Sequence, residues 1–557
     1  MDGWRLGGIR RGTAPALLIG AGLFLAGCGG GADTVSGPGT GSPALVGTPG
    51  GDVGTPTGAT LRVPQAVEPV TLDPAQVQDG PTIEFLMQVF EGLVQWNVEN
   101  KLAPCLAESW DVSKDGRTYT FHLRKAAKFH NGRAVTSEDF VYSLSRSLAP
   151  KTASPVAMVY LNDIVGAAAF NAGTAPAVAG IKAPDAHTLV LTIDQPKAFF
   201  LAKLTYPTGY AICKEAIEQT GGVLNEKSLI GTGAFKLAEY RKGDRILLDA
   251  NAEYWDGAPK IARQERRIVL DNQTRHDKFE AGELDLADVS MQTYRADRQN
   301  EKLKPLLKEF ERPSIYYLAL NQTAFPPFQN AKVRQAFAHA VDKGRILREV
   351  HEGVPRQAEG IVPYGVPGYN PALKGYPYDP AKAKQLLAEA GYPNGQNFPP
   401  LKIHFRAQMD DIKNTAVAIA AQLQENLGIQ VQPEETEWAL FIRKRNNGDM
   451  PFYFLRWMAD YLDPQNFLST MLRSGTPENK IGYRNPAFDR LCDAADVERD
   501  PKKRMELYHQ AEKIGVADAP WVPIYFQADV ELWNPKLQGV EDMLMGHLPH
   551  KRTSLAP

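Results

Sequence analysis

Four cysteines in 557 residues leave little room for a disulfide framework. Cys28, Cys105, Cys213 and Cys492 lie far apart and form no CxxC pair. If Cys28 is set aside, the three that remain cannot all pair internally, so they read as buried thiols. Charge of one sign is also missing. With 62 Lys and Arg against 64 Asp and Glu, the formal net charge is -2, and there is no bulk basicity to hold a nucleic acid. No apolar run reaches the roughly 20 residues of a membrane-spanning helix. No HExxH, GxSxG or GxxxxGK[ST] motif occurs, and Gly231-Thr232-Gly233 is a turn rather than a dinucleotide fingerprint. The ten histidines are scattered; the nearest pair, His547 and His550, lies in a tail, MGHLPHKR, that reads as surface rather than as a metal site. Neither Cys213 nor Cys492 carries the local signature of a thiol protease. These absences argue against an enzyme and predict no catalytic residue, no metal and no cofactor.

The first 27 residues read as an export signal. Arg5, Arg10 and Arg11 form a basic start, residues 14–26 (APALLIGAGLFLA) an apolar stretch, and Leu25-Ala26-Gly27-Cys28 resembles a lipobox with cleavage before Cys28. Lipidation of Cys28 would anchor the chain, since two or more acyl chains hold a protein to a membrane where one does so marginally. Residues 28–59 are almost wholly Gly, Pro, Ser, Thr and Ala. They cannot bury enough apolar surface to offset ordering, so they are expected to form a disordered tether. The roughly 500 residues that follow are too many for one core and call for two or three lobes.

Residues 102–146 (LAPCLAESWDVSKDGRTYTFHLRKAAKFHNGRAVTSEDFVYSLSR) contain the most legible local structure. Residues 118–123 alternate Tyr119, Phe121 and Leu123 with polar neighbours, the period of a half-buried strand. Lys114-Asp115-Gly116 and Asn131-Gly132 are turns. Thr136 followed by Ser137, Glu138 and Asp139 opens a helix through Phe140, Val141 and Leu144. Elsewhere the chain repeatedly writes Asp-Pro or Asn-Pro, a capping residue before a proline that needs no donor. On that rule helices begin at Asp379-Pro380, Asp463-Pro464, Asn485-Pro486 and Asp500-Pro501, the first stopping at Gly391. Residues 331–350 are expected to hold one helix and 411–427 another, ending at Gly428. Strand-like runs at 316–320, 403–405, 452–457 and 522–526 alternate with these helices, which indicates mixed α/β lobes.

Further landmarks are LDPAQVQDG (72–80), VFEGL (89–93), GTGAFKL (231–237), NAEYWDGAP (251–259), FEAGELD (279–285), NAKVRQAFAHAVDK (330–343), LLAEAGYP (386–393) and WMADYLDPQNFL (457–468). Together with the 102–146 stretch they resemble, in order, the peptide-binding family of extracytoplasmic solute-binding proteins that serve ABC importers. ASPVAMVYL (153–161) and EWALFIRKR (437–445) are most similar to its oligopeptide-binding members. The resemblance covers about residue 61 to the end. It implies an α/β fold of the three-lobed periplasmic-binding-protein type, with mixed sheets and two main lobes closing about a hinge. Lobe I would be 60–90, 215–312 and 527–557; lobe II 91–214; lobe III 313–526, with crossings near Pro313 and Phe526.

A receptor for many peptides must hold what they share: the α-ammonium, the backbone and the carboxylate. An enclosed ammonium requires an anion. By resemblance that anion is Asp460 of Trp457-Met458-Ala459-Asp460-Tyr461; from the residues alone it could equally be a loop cap or surface carboxylate. Trp457 and Tyr461 would pack beside the ligand or in the core. Arg456 to Met458 and Gln78, Asp79 and Gly80 would bond the ligand backbone as added strand. Gln78 stands where relatives can carry an acid, and Val156 where an aromatic can stand. Asp79 could instead cap a helix starting at Pro81. For the ligand carboxylate, Arg445 matches a basic position and His351 stands where a lysine can, whereas Phe454 stands where a second arginine can; Trp438 matches a pocket aromatic or is simply the buried face of its helix. Arg443 and Arg456 could substitute. The expected partners are short peptides, permease subunits and, through Cys28, a membrane; the expected form is a monomer outside the cytoplasm. Alternatives on the same fold are a dipeptide, murein peptide, nickel complex, haem or sugar; a sensor without transport is another, and an extracytoplasmic peptidase a remoter one.

Overall fold

The computed structural model describes residues 58–557. The lipobox, Cys28 and most of the tether lie outside the described residues. Three larger sheets organise the rest. The first has the order Thr60–Gln65, Arg263–Ile268, Arg245–Ala250, Phe235–Arg241, parallel at the first pairing and antiparallel thereafter. The second is antiparallel: Ala107–Val112, Thr118–Leu123, Thr188–Thr192, Ile181–Asp185. The third, mixed sheet runs Leu286–Asp288, Trp521–Trp533, Leu307–Leu320, Phe452–Met458, Leu401–Arg406, Val431–Thr436, with Arg356–Gln357 beside Trp521–Trp533. The chain is therefore α/β with mixed sheets, as its alternating patterns predict. No helix among the described residues is long and apolar enough to cross a membrane.

Local expectations hold where a cap or turn dictates them. Thr118–Leu123 is a strand with alternating burial, and Gly116 and Gly132 take the positive φ of their turns. Ser137–Leu148 is a helix whose Asp139 carboxylate reaches back to accept from the Thr136 N–H at 2.8 Å. Pro380–Glu389 and Asp410–Leu427 end as expected, with Gly391 and Gly428 at positive φ.

Two expectations are corrected. Residues 331–350 form two helices, Ala331–Ala340 and Lys343–Glu349, because Val341 is extended and Asp342 caps the second by accepting from the Arg345 N–H. Asp463-Pro464 starts only a 3-10 turn, Pro464–Asn466, and a one-turn helix, Ser469–Leu472, follows. The Asp463 side chain is drawn into a buried bidentate pair with Arg504 at 2.7 and 2.8 Å, and Asn466 is claimed by the site described below.

Three of the landmarks meet at one carboxylate. Glu91 is buried and accepts from Tyr254 Oη at 2.6 Å, Thr232 Oγ1 at 2.9 Å and Trp255 Nε1 at 3.1 Å. Burial pushes its pKa up, and these donors offset part of that cost. Gly231 and Gly233 permit the approach: a Cβ on either would lie 1.9 or 2.6 Å from a carbonyl oxygen of residues 88–89. Cys105, Cys213 and Cys492 are free, buried thiols. The terminal histidines are not on the surface as expected. His550 is buried, and His547 is paired with Glu531 at 3.0 Å.

The two longest strands, Leu307–Leu320 and Trp521–Trp533, cross the molecule side by side. Their register shifts between Glu311↔Ala528 and Ile315↔Phe526, which places residues 312–314 against a single partner residue. At this bulge the buried Arg312 guanidinium bonds Asp529 at 2.7 Å and Asp542 at 2.9 Å.

Candidate functional site: a carboxylate without a cation

Strand Phe452–Met458 leads directly into the loop that holds Asp460. Register fixes its surroundings. Met458, Trp457 and Arg456 pair with Ser314, Ile315 and Tyr316 on one side. On the other side, Leu401–Arg406 bonds this strand only at His404↔Tyr453 and ends at Arg406. Residues 456–458 thus keep one open edge, the backbone feature an extended ligand needs.

Asn466 shapes the loop. Its Oδ1 accepts from Trp457 Nε1 and from the Asp460 N–H, both at 3.1 Å, while its Nδ2 donates to Asp460 Oδ2 at 3.3 Å. Near Asp460 is Tyr160, whose hydroxyl helps hold down the pKa of the carboxylate. Tyr160 stacks on Tyr206 with centroids 3.7 Å apart, and Tyr206 Oη donates to the Val77 carbonyl at 2.9 Å. Ser154 Oγ donates to the Ala75 carbonyl, which ties the same two regions. Segments 75–79, 154–160 and 457–466 therefore converge on one carboxylate.

Its electrostatics are unusual. Burial is the largest influence on Asp460 and pushes its pKa up to about 6; Asn466 and Tyr160 act in the opposite direction. No cation is among the groups acting on it. Asp79 adds a second, partly satisfied carboxylate. One oxygen caps helix Gly80–Val89, accepting from the Thr82 N–H at 3.0 Å, and Oδ2 is buried with no partner.

The other sequence-predicted residues divide. Gln78 is exposed on the loop after Val77, and Gly80 is the exposed first residue of that helix, both outside every sheet. Val156 precedes the short helix Ala157–Tyr160 and packs against the neighbouring core. Tyr461 is buried with its ring 6.2 Å from and nearly parallel to Phe199, so it joins the core of residues 93–216.

Two basic candidates are altered by their surroundings. His351 is buried with Nε2 2.8 Å from Thr415 Oγ1, and burial pulls its pKa down to about 4. It is neutral and cannot serve as a cationic anchor. Arg445 is buried and already paired with Glu478 at 2.9 Å.

Cationic groups without acidic partners lie instead at Arg406 and Arg456. Arg406 is half-buried over the Trp438 ring, 4.7 Å from its centroid; burial and then the nearby Arg456 lower its pKa. Arg456 bonds Gln527 Oε1 at 2.9 Å. Trp438 is 40 % exposed and stacked on Phe441. Tyr160 and Asn466 fall inside landmarks of the sequence; Tyr206 and Arg406 carry no local signal.

A cavity lies apart from Asp460, lined by Glu311, Arg312, Val354, Arg356, Tyr364 and Gln527. Its arginines are already paired, Arg356 with Glu311 and Arg312 with Asp529 and Asp542. It offers no unmet charge.

Residues 101–479 match the family described as bacterial extracellular solute-binding proteins, family 5 Middle. The chain is 31% identical over 506 residues to the periplasmic oligopeptide-binding protein OppA of Escherichia coli, covering 87% of this chain and 91% of that protein. It is 32% identical over 485 residues to a probable deoxycholate-binding periplasmic protein of the same organism, covering 85% and 89%. Among solved structures it superposes on the Escherichia coli murein tripeptide binding protein MppA with TM-score 0.78 at 29% identity, covering 89% of this chain and 98% of that one. On the unliganded open form of MppA the TM-score is 0.71 at 28% identity, covering 90% and 98%. The chain belongs to family 5 of the bacterial extracellular solute-binding proteins.

Proposed function

We propose that this chain is a receptor that closes around short peptides outside the cytoplasm and delivers them to an ABC-type permease. The observation that carries this reading is Asp460: a desolvated carboxylate, with a pKa pushed up to about 6 and no cation acting on it, where three chain segments meet. Such a group is costly until a cation arrives, and a peptide α-ammonium is a cation of the right size with donors for the carboxylate. The open edge of residues 456–458 supports recognition of an extended backbone. Arg406, which lies over Trp438, and the nearby Arg456 that repels it support capture of the carboxylate end in place of His351 and Arg445. An anionic steroid acid would be repelled by Asp460, which favours an amino compound over the ligand class named for one relative.

In this reading lobe I is 60–90, 215–312 and 527–557, lobe II 91–214 and lobe III 313–526. Asp460 and Tyr461 of lobe III then reach Tyr160 and Phe199 of lobe II. Cys28 is lipidated and anchors a monomer through the 28–59 tether. The protein binds without chemistry.

Native mass spectrometry of the gently purified protein, followed by identification of what is released, tests the ligand class. A ladder of masses resolving into short peptides supports the reading. A single non-peptide mass keeps the family and overturns the peptide assignment.

A further inference from the structure

Helix Asn272–Glu280 carries a histidine that the binding site does not use. His276 is 5% exposed, and its Nε2 lies 3.0 Å from both carboxylate oxygens of the buried Asp297, at the end of helix Met291–Asp297. That bidentate acceptor takes its hydrogen bonds from Nε2 and fixes the orientation of the ring. Nδ1 is buried and has no hydrogen-bond partner. It points at two carboxylates of its own helix, Glu280 Oε2 at 3.6 Å and Asp277 Oδ1 at 4.0 Å, both too distant for hydrogen bonds. Asp277 Oδ1 also accepts from Gln273 Nε2 at 2.8 Å, and Glu280 is on the exposed face of the helix. The three donor atoms all lie within 4.8 Å of one another.

We infer that His276, Asp277 and Glu280 form a binding site for a divalent transition-metal ion, with Asp297 orienting the imidazole from behind. One imidazole nitrogen and two carboxylate oxygens suit zinc, whose tetrahedral ligands sit about 3.4 Å apart when each is about 2.1 Å from the ion. The exposed carboxylates would swing inward to reach that spacing, from oxygens now 3.6 and 4.0 Å from Nδ1. Water completes the coordination. In protein zinc sites the nitrogen of a ligating histidine that faces away from the ion is commonly held by a carboxylate, which orients the ring. A buried imidazole nitrogen with no partner is otherwise an unmet cost. The ion would fix the imidazole that already ties helix Asn272–Glu280 to Asp297. These two helices flank strand Leu286–Asp288, which pairs with the crossing strand Trp521–Trp533. The site is remote in sequence from every residue assigned to the ligand, so its test is independent of the peptide reading.

Calorimetric titration of chelator-treated protein with zinc chloride tests the site. The expected result is saturable binding of one ion. Substitution of the two exposed acids, Asp277→Asn with Glu280→Gln, should weaken it at least tenfold with an unchanged circular dichroism spectrum. His276→Ala should abolish it. Absence of saturable binding overturns the site, as does unchanged affinity in the double variant. Nitrogen NMR of the metal-free protein showing His276 protonated on both nitrogens at pH 8 would equally overturn it, since Nδ1 would then be an ion-pair donor rather than a ligand.

Discussion

Asp460 behaves as an incomplete ion pair, and its titration provides a direct signature. Its pKa in the free protein is pushed up to about 6, above the roughly 3.9 of an exposed aspartate. A bound ammonium favours the ionised form, so the bound-state pKa lies lower and binding expels a proton at acid pH. Affinity for a peptide with a free amino terminus should therefore be level above about pH 7 and fall as pH drops through 6. Asp460→Asn should remove that dependence; calorimetry across pH 5–8 reads both. Asp460→Ala should weaken peptide binding by several kcal/mol, since truncating one member of a buried charge pair strands the other. Asp460 was legible because it sits in a contiguous motif beside an apolar strand. Tyr206 was not legible, because only the tertiary stacking on Tyr160 brings it near. The carboxylate-end candidates show the same limit. A sequence shows Arg445 and His351 as basic, but not that Glu478 pairs with one and burial neutralises the other.

At the scale of elements, caps and prolines were readable because each acts on its own few neighbours. Helix Pro486–Val497 begins where its dipeptide says, with the capping Asn485 Oδ1 accepting from the Ala487 N–H. Val341 was not readable, since a break inside an apolar periodic run leaves the pattern almost intact. The landmarks around Gly231 express a packing demand. Gly231→Ala would drive a Cβ into the Val89 carbonyl, and it should lower stability by about 1–3 kcal/mol or more, measured by denaturant unfolding. The C-terminal segment adds a pH-sensitive element. His547 is held protonated by Glu531, Glu84 and Asp542 despite its burial, with a pKa raised to about 9. Its stabilisation is thus fully present below its unfolded pKa of about 6.5 and is lost as pH rises through about 9. His547→Gln should cost on the order of 1–3 kcal/mol near pH 6 and progressively less above pH 9, measured by unfolding at each pH.

At the scale of the whole molecule, residues 91–214 also reach the far C-terminal part of the chain through long-range hydrogen bonds. Arg499 Nη1 donates to the Lys114 carbonyl at 2.6 Å, and Asn100 Oδ1 accepts from the Leu544 N–H at 2.7 Å. In the proposed lobe arrangement, the Arg499 bond and Tyr461 on Phe199 join lobe II to lobe III and would favour closure. Arg499 is exposed, so Arg499→Ala should cost under about 1 kcal/mol of closure, a few-fold in affinity. Small-angle scattering of the ligand-free variant should show a larger radius of gyration, and saturating ligand should restore the compact form. The order of strands and the register shift at residues 311–315 were beyond the sequence, because pairing between segments some 200 residues apart leaves no local pattern.

The central claim is that Asp460 receives the ligand's α-ammonium. A thermodynamic cycle tests it most directly: calorimetry of one short peptide and its N-acetylated form against the unaltered protein and Asp460→Asn. The account predicts that acetylation and substitution each weaken binding, and that together they cost little more than either alone. Equal affinity of Asp460→Asn and the unaltered protein for the free peptide, or fully additive losses, would contradict it.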